Sequence, residues 1–573
     1  MNDGPGAGSN SPRQHRAVLA IAIALVLVKL WLVSEQRMTA VGPAGHDDHL
    51  FLYLASSLAQ GRWLGAYSHL TLIKGPFYPM WIAASFASGI PLLLSQHLLY
   101  AGACAVFVLA LSPALRSPRL GLALFAFLIF CPLSFADGPM TRVIRDSIYP
   151  SLTLLVLAAA LGLALRLDRP LRATRGWIAG FGGSLAAFWL CREERIWIIP
   201  ALLLTAGWAL LRWPRREVLR RGLEALGLAA VLVGAVVLIN GIRYGAFVIT
   251  EFTEGSYPRA YAALTHVEHE KYRLKVFLPA ETRRRIYAAS PHFAELEPFL
   301  EGDVGRGWIK PGCDEFGICD EVGPGWLIWA LRDAAAAAGH YRDGGEAARY
   351  WSAVGDEVAG ACSKKLLTCR AWSLGFLPPL HREHIHAYPR AVLRGAAMLL
   401  NYQGVTPHPA PSMGPAFLLI DFRDIARARL MPAPGIEEQS TPRLDRLEAL
   451  EEKILGGILA AYRWATPLLA GAASIAFVVA AAWGLRRRRS SPLLFVSAAL
   501  LVAAAARVLL LALIEVTAFS GLIVGYLAPG YPLVLSFIAL AIFSAVESVR
   551  NRKPAPAQRT PGEAGALYEN ALS

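Results

Sequence analysis

The chain has 573 residues, 55% of them hydrophobic and 17% charged, with a formal charge of +14 and a mean hydropathy of +0.42. Apolar residues gathered in blocks of roughly 18 to 25 exclude an ordinary soluble domain and indicate a polytopic membrane protein. The arginines sit in short segments between those blocks, so the excess charge marks the cytoplasmic side of a bilayer and no nucleic-acid partner is expected.

Residues 1–16 read as a disordered cytoplasmic N-terminus. The block "RAVLAIAIALVLVKLWLVS" follows a basic flank and no small-residue cleavage site follows it, so it reads as an uncleaved first span, with Lys29 snorkelling. Hydrophobic runs predict spans near 17–34, 91–113, 119–136, 147–166, 176–191, 194–212, 222–242, 457–485, 491–514 and 526–548, about ten in all. The stretch "GPFYPMWIAASFAS" is too short before Gly89 and Pro91 to cross, and is expected to form a juxtamembrane or re-entrant helix.

With the N-terminus inside, "LRSPRL", "RLDRPLRATRG", "RWPRREVLRR", "GLRRRRS" and the tail "VRNRK" all fall on the cytoplasmic side. The outer side then receives 35–90, 137–146, the tight turn "CREER" and a long insert. The expected plan is a transmembrane module at 17–242, a mostly helical extracytoplasmic domain at 243–455, C-terminal spans at 456–549 and a disordered cytoplasmic tail at 550–573. The end of the insert, "TPRLDRLEALEEKILGGILAAY", reads as a helix running into the next span. The fold class is therefore mainly α, a helical bundle of about 10 spans carrying one outer domain.

The insert holds "CDEFGIC" (Cys313, Cys319) and "CSKKLLTC" (Cys362, Cys369); on an oxidising face these suggest two disulfides, since neither spacing suits zinc. Cys104, Cys131 and Cys191 lie in or beside spans and are expected only to pack.

The chemistry concentrates in "GHDDHLFLYLASSLAQG" at 45–61. A helix N-terminus needs one capping acid. Asp47 and Asp48, flanked by His46 and His49, exceed that need; mutual repulsion raises one carboxylate's pKa unless a cation or metal intervenes, which suits a general base acting on a hydroxyl.

That acidic pair after span one, the aromatic-rich "DDHLFLYLASSLAQG" and then "KGPFYPMWIA" resemble the GT-C superfamily of membrane glycosyltransferases. This superfamily includes the protein O-mannosyltransferases and the lipid A aminoarabinose transferases. The resemblance covers roughly 17–242. It implies a many-helix fold with its active site on the outer face, a polyprenyl-phosphate-linked sugar donor and an inverting displacement. It also implies that the first-loop acid deprotonates the acceptor, which maps onto Asp47 with Asp48 as the alternative. Many relatives have Asp-Glu here, and their tyrosine position differs slightly from Tyr53. His46, His49, Tyr53 and Tyr78 are the substrate-facing candidates of these motifs.

In "TRVIRDSIYP" the resemblance matches Arg142 or Arg145, together with Asp146, to a family arginine and acid before the next span. An arginine fork reaches two phosphate oxygens at once; the alternative is that Asp146 simply pairs with an arginine at a helix start. Lys74 either touches the phosphate or snorkels. Arg192, Glu193, Glu194 and Arg195 of "CREER" cannot face lipid tails, and either pair with one another or set the arginines at the phosphate and the glutamates at the substrate. Arg507 lies inside a span and is a further phosphate candidate, with Glu515 as its structural partner. "HREHIHAYPR" (His381, His384, His386) reads as a solvated loop over the site. No nucleotide-type Gly-rich loop, G-x-S-x-G or H-E-x-x-H is present, which disfavours a nucleotide-sugar donor and serine or zinc hydrolysis.

No cofactor is required in this reading; a divalent Mg or Mn ion held by Asp47, Asp48, His49 and Asp146 is the alternative. The expected protein is a bacterial inner-membrane transferase with both termini cytoplasmic, whose acceptor is a glycan, lipid or protein. Its rivals are a lipid-linked glycan transporter or flippase and a non-catalytic cell-envelope assembly protein.

Overall fold

The computed structural model of the chain describes residues 12–115, 117–370, 380–434, 442–486 and 491–550. The terminal segments and the basic runs at 487–490 and beyond 550 fall outside these residues. Among the described residues the secondary structure is helical, with isolated β-bridges and no strand. The first half runs α1 (Pro12–Trp31), α2 (Asp48–Ala59), α3 (Phe77–Ser88), α4 (Leu92–Leu111), α5 (Pro118–Ile129), α6 (Tyr149–Ala164), α7 (Leu171–Trp189), α8 (Ile199–Arg212) and α9 (Arg215–Tyr244).

Among the described residues, six helical stretches are long and apolar enough to cross a membrane: Leu92–Leu111, Arg145–Ala164, Arg195–Arg212, Arg215–Tyr244, Arg446–Arg486 and Pro492–Thr517. The other four runs expected to span are also helical, as α1, α5, α7 and the helix Gly530–Arg550. The chain is a multi-pass membrane protein of mainly α class. Its α6 is buried along almost its whole length, packed between α4 and α7. By contrast, α9 leaves Val231, Leu238 and Ile242 exposed, an apolar face that acyl chains cover in a bilayer. Lys29 does not snorkel: it is buried and donates to the Ser134 carbonyl (3.1 Å) above the Phe135 ring. The three free cysteines are buried, as expected of packing residues.

Alternating helices separate the connections into two ends. At one end Arg166 donates to the Ala110 and Leu109 carbonyls (both 2.7 Å), satisfying the end of α4, and Arg221 of α9 donates to the Arg169 carbonyl (3.1 Å) in the connection between α6 and α7. At the other end meet the segments that follow α1, α2, α5 and α7, together with the insert.

The insert divides by what its residues pack against. Its first part has a core of its own, including Tyr261, Phe293, Leu331, Trp351 and Val354, and both cysteine pairs form disulfides, Cys313–Cys319 and Cys362–Cys369. Its later helices, Arg382–Asn401 and Ala416–Ala426, place Met398, Leu399, Tyr402 and Phe422 in the bundle core. The loop after α1 is stitched to this part by backbone bonds: Met38 N to Arg429 O (2.8 Å), Met413 N to Ala40 O (2.8 Å) and Gly42 N to Met413 O (2.9 Å). These bonds fix the segment that carries the acidic pair. The helix Pro442–Arg486 then runs unbroken from the insert into the bundle, as its sequence predicted.

Candidate active site

Helix α2 begins at Asp48, with Asp47 in the N-cap position, yet the Asp47 side chain caps no backbone N–H. Its carboxylate instead pairs with Lys74 Nζ. Lys74 is almost fully buried and lies 5.2 Å from the Phe51 ring centre and 5.7 Å from that of Trp329, so aromatic faces hold the ammonium against Asp47. Desolvation is the largest single influence and would raise the Asp47 pKa, but the charge and hydrogen bond of Lys74 together with the charges of Arg145 and Arg142 outweigh it, and the carboxyl ends below its ordinary range. The Asp47 side chain is 54% exposed.

Asp48 has no exposed surface. Arg142 grips it with a fork, Nε to Oδ1 at 3.1 Å and Nη2 to Oδ2 at 2.5 Å. Burial is the larger influence and pushes the Asp48 carboxyl up to about 6, against the opposing pull of Arg142. The sequence left the choice between the two acids open; in the structure one is accessible and the other sealed.

Behind them lies a row of buried ion pairs built from the turns after α5 and α7. Arg145 meets Glu193 (2.6 Å), which also accepts from the Gly75 backbone N–H (3.1 Å). Gly75 is required here, because a Cβ would fall 2.1 Å from the Leu190 carbonyl oxygen. Arg192 pairs with Asp146 and with Glu194 (2.6 Å). Arg507 reaches the same Glu194 carboxylate (3.2 Å) and donates from Nε to the Tyr526 carbonyl (2.8 Å), while its Nη1 is buried without a hydrogen-bond partner. Arg192 and Arg507 both lie near the Tyr149 ring, at 5.5 and 5.7 Å.

Several expectations need correcting. Arg507 pairs with Glu194 rather than Glu515, whose carboxylate meets Arg394 (3.2 Å). Two helical turns separate 507 from 515 along one helix, too far for that contact. Of the "CREER" charges only Arg192 and Glu194 pair with each other; Arg195 turns to Glu254 (2.7 Å) in the insert. Lys74 is enclosed and does not snorkel. Tyr78 is buried edge-on against Phe51 (5.2 Å), and Tyr53 is 46% exposed on another face of α2. His49 sits in the first turn of α2, partly exposed. The acids of the alternative metal set each face a cation: Asp47 with Lys74, Asp48 with Arg142, Asp146 with Arg192. His381 and His384 enclose Tyr272, the first stacked on its ring at 3.5 Å and the second bonded to its hydroxyl at 3.1 Å.

Sequence reasoning expected the insert to cover the site but did not pick out the residues by which it meets the first outer loop. The helix Pro324–Ala337 brings Trp329, Arg332 and Asp333 to the first outer loop, where Arg332 holds the His69 carbonyl and Glu251 (2.6 Å). His46 lies between the Trp308 and Trp329 rings, 4.9 and 4.6 Å away.

No family model matches the chain, and no curated protein matches it significantly. Solved structures similar to it include two crystal structures of ArnT from Cupriavidus metallidurans. The apo form is 14% identical, with 93% of this chain and 78% of that chain covered and a TM-score of 0.32. The form bound to undecaprenyl phosphate is 13% identical, with 96% and 82% covered and a TM-score of 0.31.

Proposed function

We propose that the chain is an inverting membrane glycosyltransferase that moves a sugar from a polyprenyl-phosphate donor to an acceptor on the extracytoplasmic face, with Asp47 as base. The observation that carries this reading is the division of labour between the paired acids. Asp47 is accessible and kept ionised beside Lys74, while Asp48 is sealed by Arg142 and anchors the segment.

In this mechanism the Asp47 carboxylate takes the proton of the acceptor hydroxyl. The acceptor oxygen attacks the anomeric carbon as the bond from that carbon to the phosphate oxygen breaks, and the polyprenyl phosphate leaves with the electron pair. Lys74, Arg145, Arg192 and Arg507 stand at the same end of the bundle as fixed cations for that charge. Their present counter-ions keep the row neutral without a ligand, so the donor phosphate enters by sharing these donors with Glu193 and Glu194. Proximity supplies much of the rate, since donor and acceptor meet at one rigid helix start. The site end opposes the arginine-rich end, which supports an extracytoplasmic active site in a bacterial inner membrane.

The test follows release of radiolabelled sugar from a panel of polyprenyl-phosphate sugars by purified protein in detergent. Turnover of one donor that Asp47→Asn abolishes supports the proposal. A wild type that consumes no donor, or an Asp47→Asn variant that matches it, overturns the proposal in favour of a transporter or assembly protein.

A further inference from the structure

Three ligating side chains converge where the insert meets the first outer loop. His46 Nε2 lies 3.7 Å from Asp333 Oδ1 and His69 Nε2 lies 3.0 Å from the same oxygen. One ligating atom from each of the three residues falls within 4.8 Å of the other two. Tetrahedral Zn²⁺ with bonds of about 2.0–2.1 Å separates its ligand atoms by about 3.3 Å, and both measured edges fall near that figure.

The surroundings aim these atoms at a common centre. Trp308 Nε1 donates to Asp333 Oδ2 (2.9 Å), which turns the other carboxylate oxygen toward the two imidazoles. Trp308 and Trp329 pack edge-on against His46 and fix its plane. Arg332 holds the His69 backbone carbonyl (2.9 Å). His46 Nε2 and Asp333 Oδ1 are both buried atoms whose contacts, to each other and to His69 Nε2, lack hydrogen-bond geometry. Buried polar atoms are seldom left so, and these two face one point together with His69 Nε2.

We propose that His46, His69 and Asp333 bind one divalent transition-metal ion of the zinc class. Two imidazoles and a carboxylate suit zinc, and disfavour Mg²⁺ or Ca²⁺, which prefer oxygen ligands. Three protein ligands leave a fourth position for water or a substrate oxygen. The ion would tie the loop carrying Asp47 to the insert helix Pro324–Ala337, because Trp329 touches both His46 and Lys74. This inference does not rest on the glycosyl-transfer reading.

The test uses the full chain, purified without a histidine tag, stripped with chelator, incubated with ZnCl₂ and desalted. The expected result is one zinc per chain in wild type and in Asp47→Asn, and less than a tenth of that in His69→Gln and Asp333→Asn. Loading wild type with Co²⁺ should give the visible bands of a tetrahedral site with nitrogen and oxygen ligands. Metal-free thermal unfolding of the variants, compared with metal-free wild type, checks that they fold; the Co²⁺ spectrum decides the matter if they do not. Wild type that retains no zinc, a spectrum that is not tetrahedral, or variants that keep their metal would each overturn the proposal.

Discussion

Asp47 and Asp48 are adjacent in the chain and opposite in environment: the first is 54% exposed and paired with Lys74, the second fully buried in the fork of Arg142. The start of α2 produces this split, because successive positions on a helix point about 100° apart and only one of the two can face the bundle. The two neighbours thus reach different cations, one on the turn before α3 and one on the loop after α5.

The first consequence concerns turnover. Asp47→Asn keeps the shape of the side chain and removes its basicity, so kcat should fall by about 10²- to 10⁴-fold. Its melting temperature should fall, because the buried Lys74 ammonium loses its ion-pair partner, so turnover is compared per folded protein. Sugar release and thermal unfolding measured on the same preparation check both halves.

Against desolvation, the largest influence on Asp47, Lys74 is the strongest of the cations that hold its carboxyl below the ordinary range, ahead of Arg145 and Arg142. Lys74→Met leaves the desolvation and removes the charge, so the Asp47 pKa should rise. The acid limb of the kcat/KM profile, expected below the usual carboxylate range in wild type, should move upward in the variant. An unmoved limb would mean that Lys74 does not set the state of the base.

Asp48 gives a stability signature of opposite sign. Its folded pKa of about 6 lies above the ordinary aspartate value of 3.8, so the folded state holds the proton more tightly. That contribution is fully present below about pH 4 and is lost as pH rises through 6, a change of about 3 kcal/mol. Arg142→Gln removes the opposing cation and raises the pKa further, so stability should go on falling above pH 6. Asp48→Asn should flatten the curve. Thermal unfolding against pH in all three proteins tests this.

The bundle was legible because its signal is composition over whole helices, and all ten apolar runs appear as helices. The sites of charge were legible too, since Asp47, Asp146, Arg192 and Arg507 have no place against lipid. Their pairings were not. Glu194 joins Arg192 to Arg507 across more than 300 residues, and Arg195 finds Glu254 instead of its near neighbours. Such partners depend on how helices pack, which hydrophobic periodicity does not specify. Asp333 carries no local sequence signal, because an acid in "WALRDAAAAAG" resembles any exposed helical residue.

Arg507 gives the last prediction. It is fully buried, and Glu194 and the Tyr526 carbonyl account for only part of its fork, leaving Nη1 without an acceptor. A purely structural arginine would be expected to satisfy its donors, so the free nitrogen fits an acceptor that arrives with the donor phosphate. Arg507→Gln leaves Glu194 paired with Arg192, so the local charge stays compensated and the protein should fold. Losing one fixed cation from the leaving phosphate should lower kcat/KM for the donor by about 10²- to 10³-fold. Arg507→Lys keeps the charge without the fork and should recover only part of the loss. Steady-state kinetics on the folded fraction decides it: if Arg507→Gln turns over donor as wild type does, Arg507 serves only to hold Glu194 and the end of the span in place.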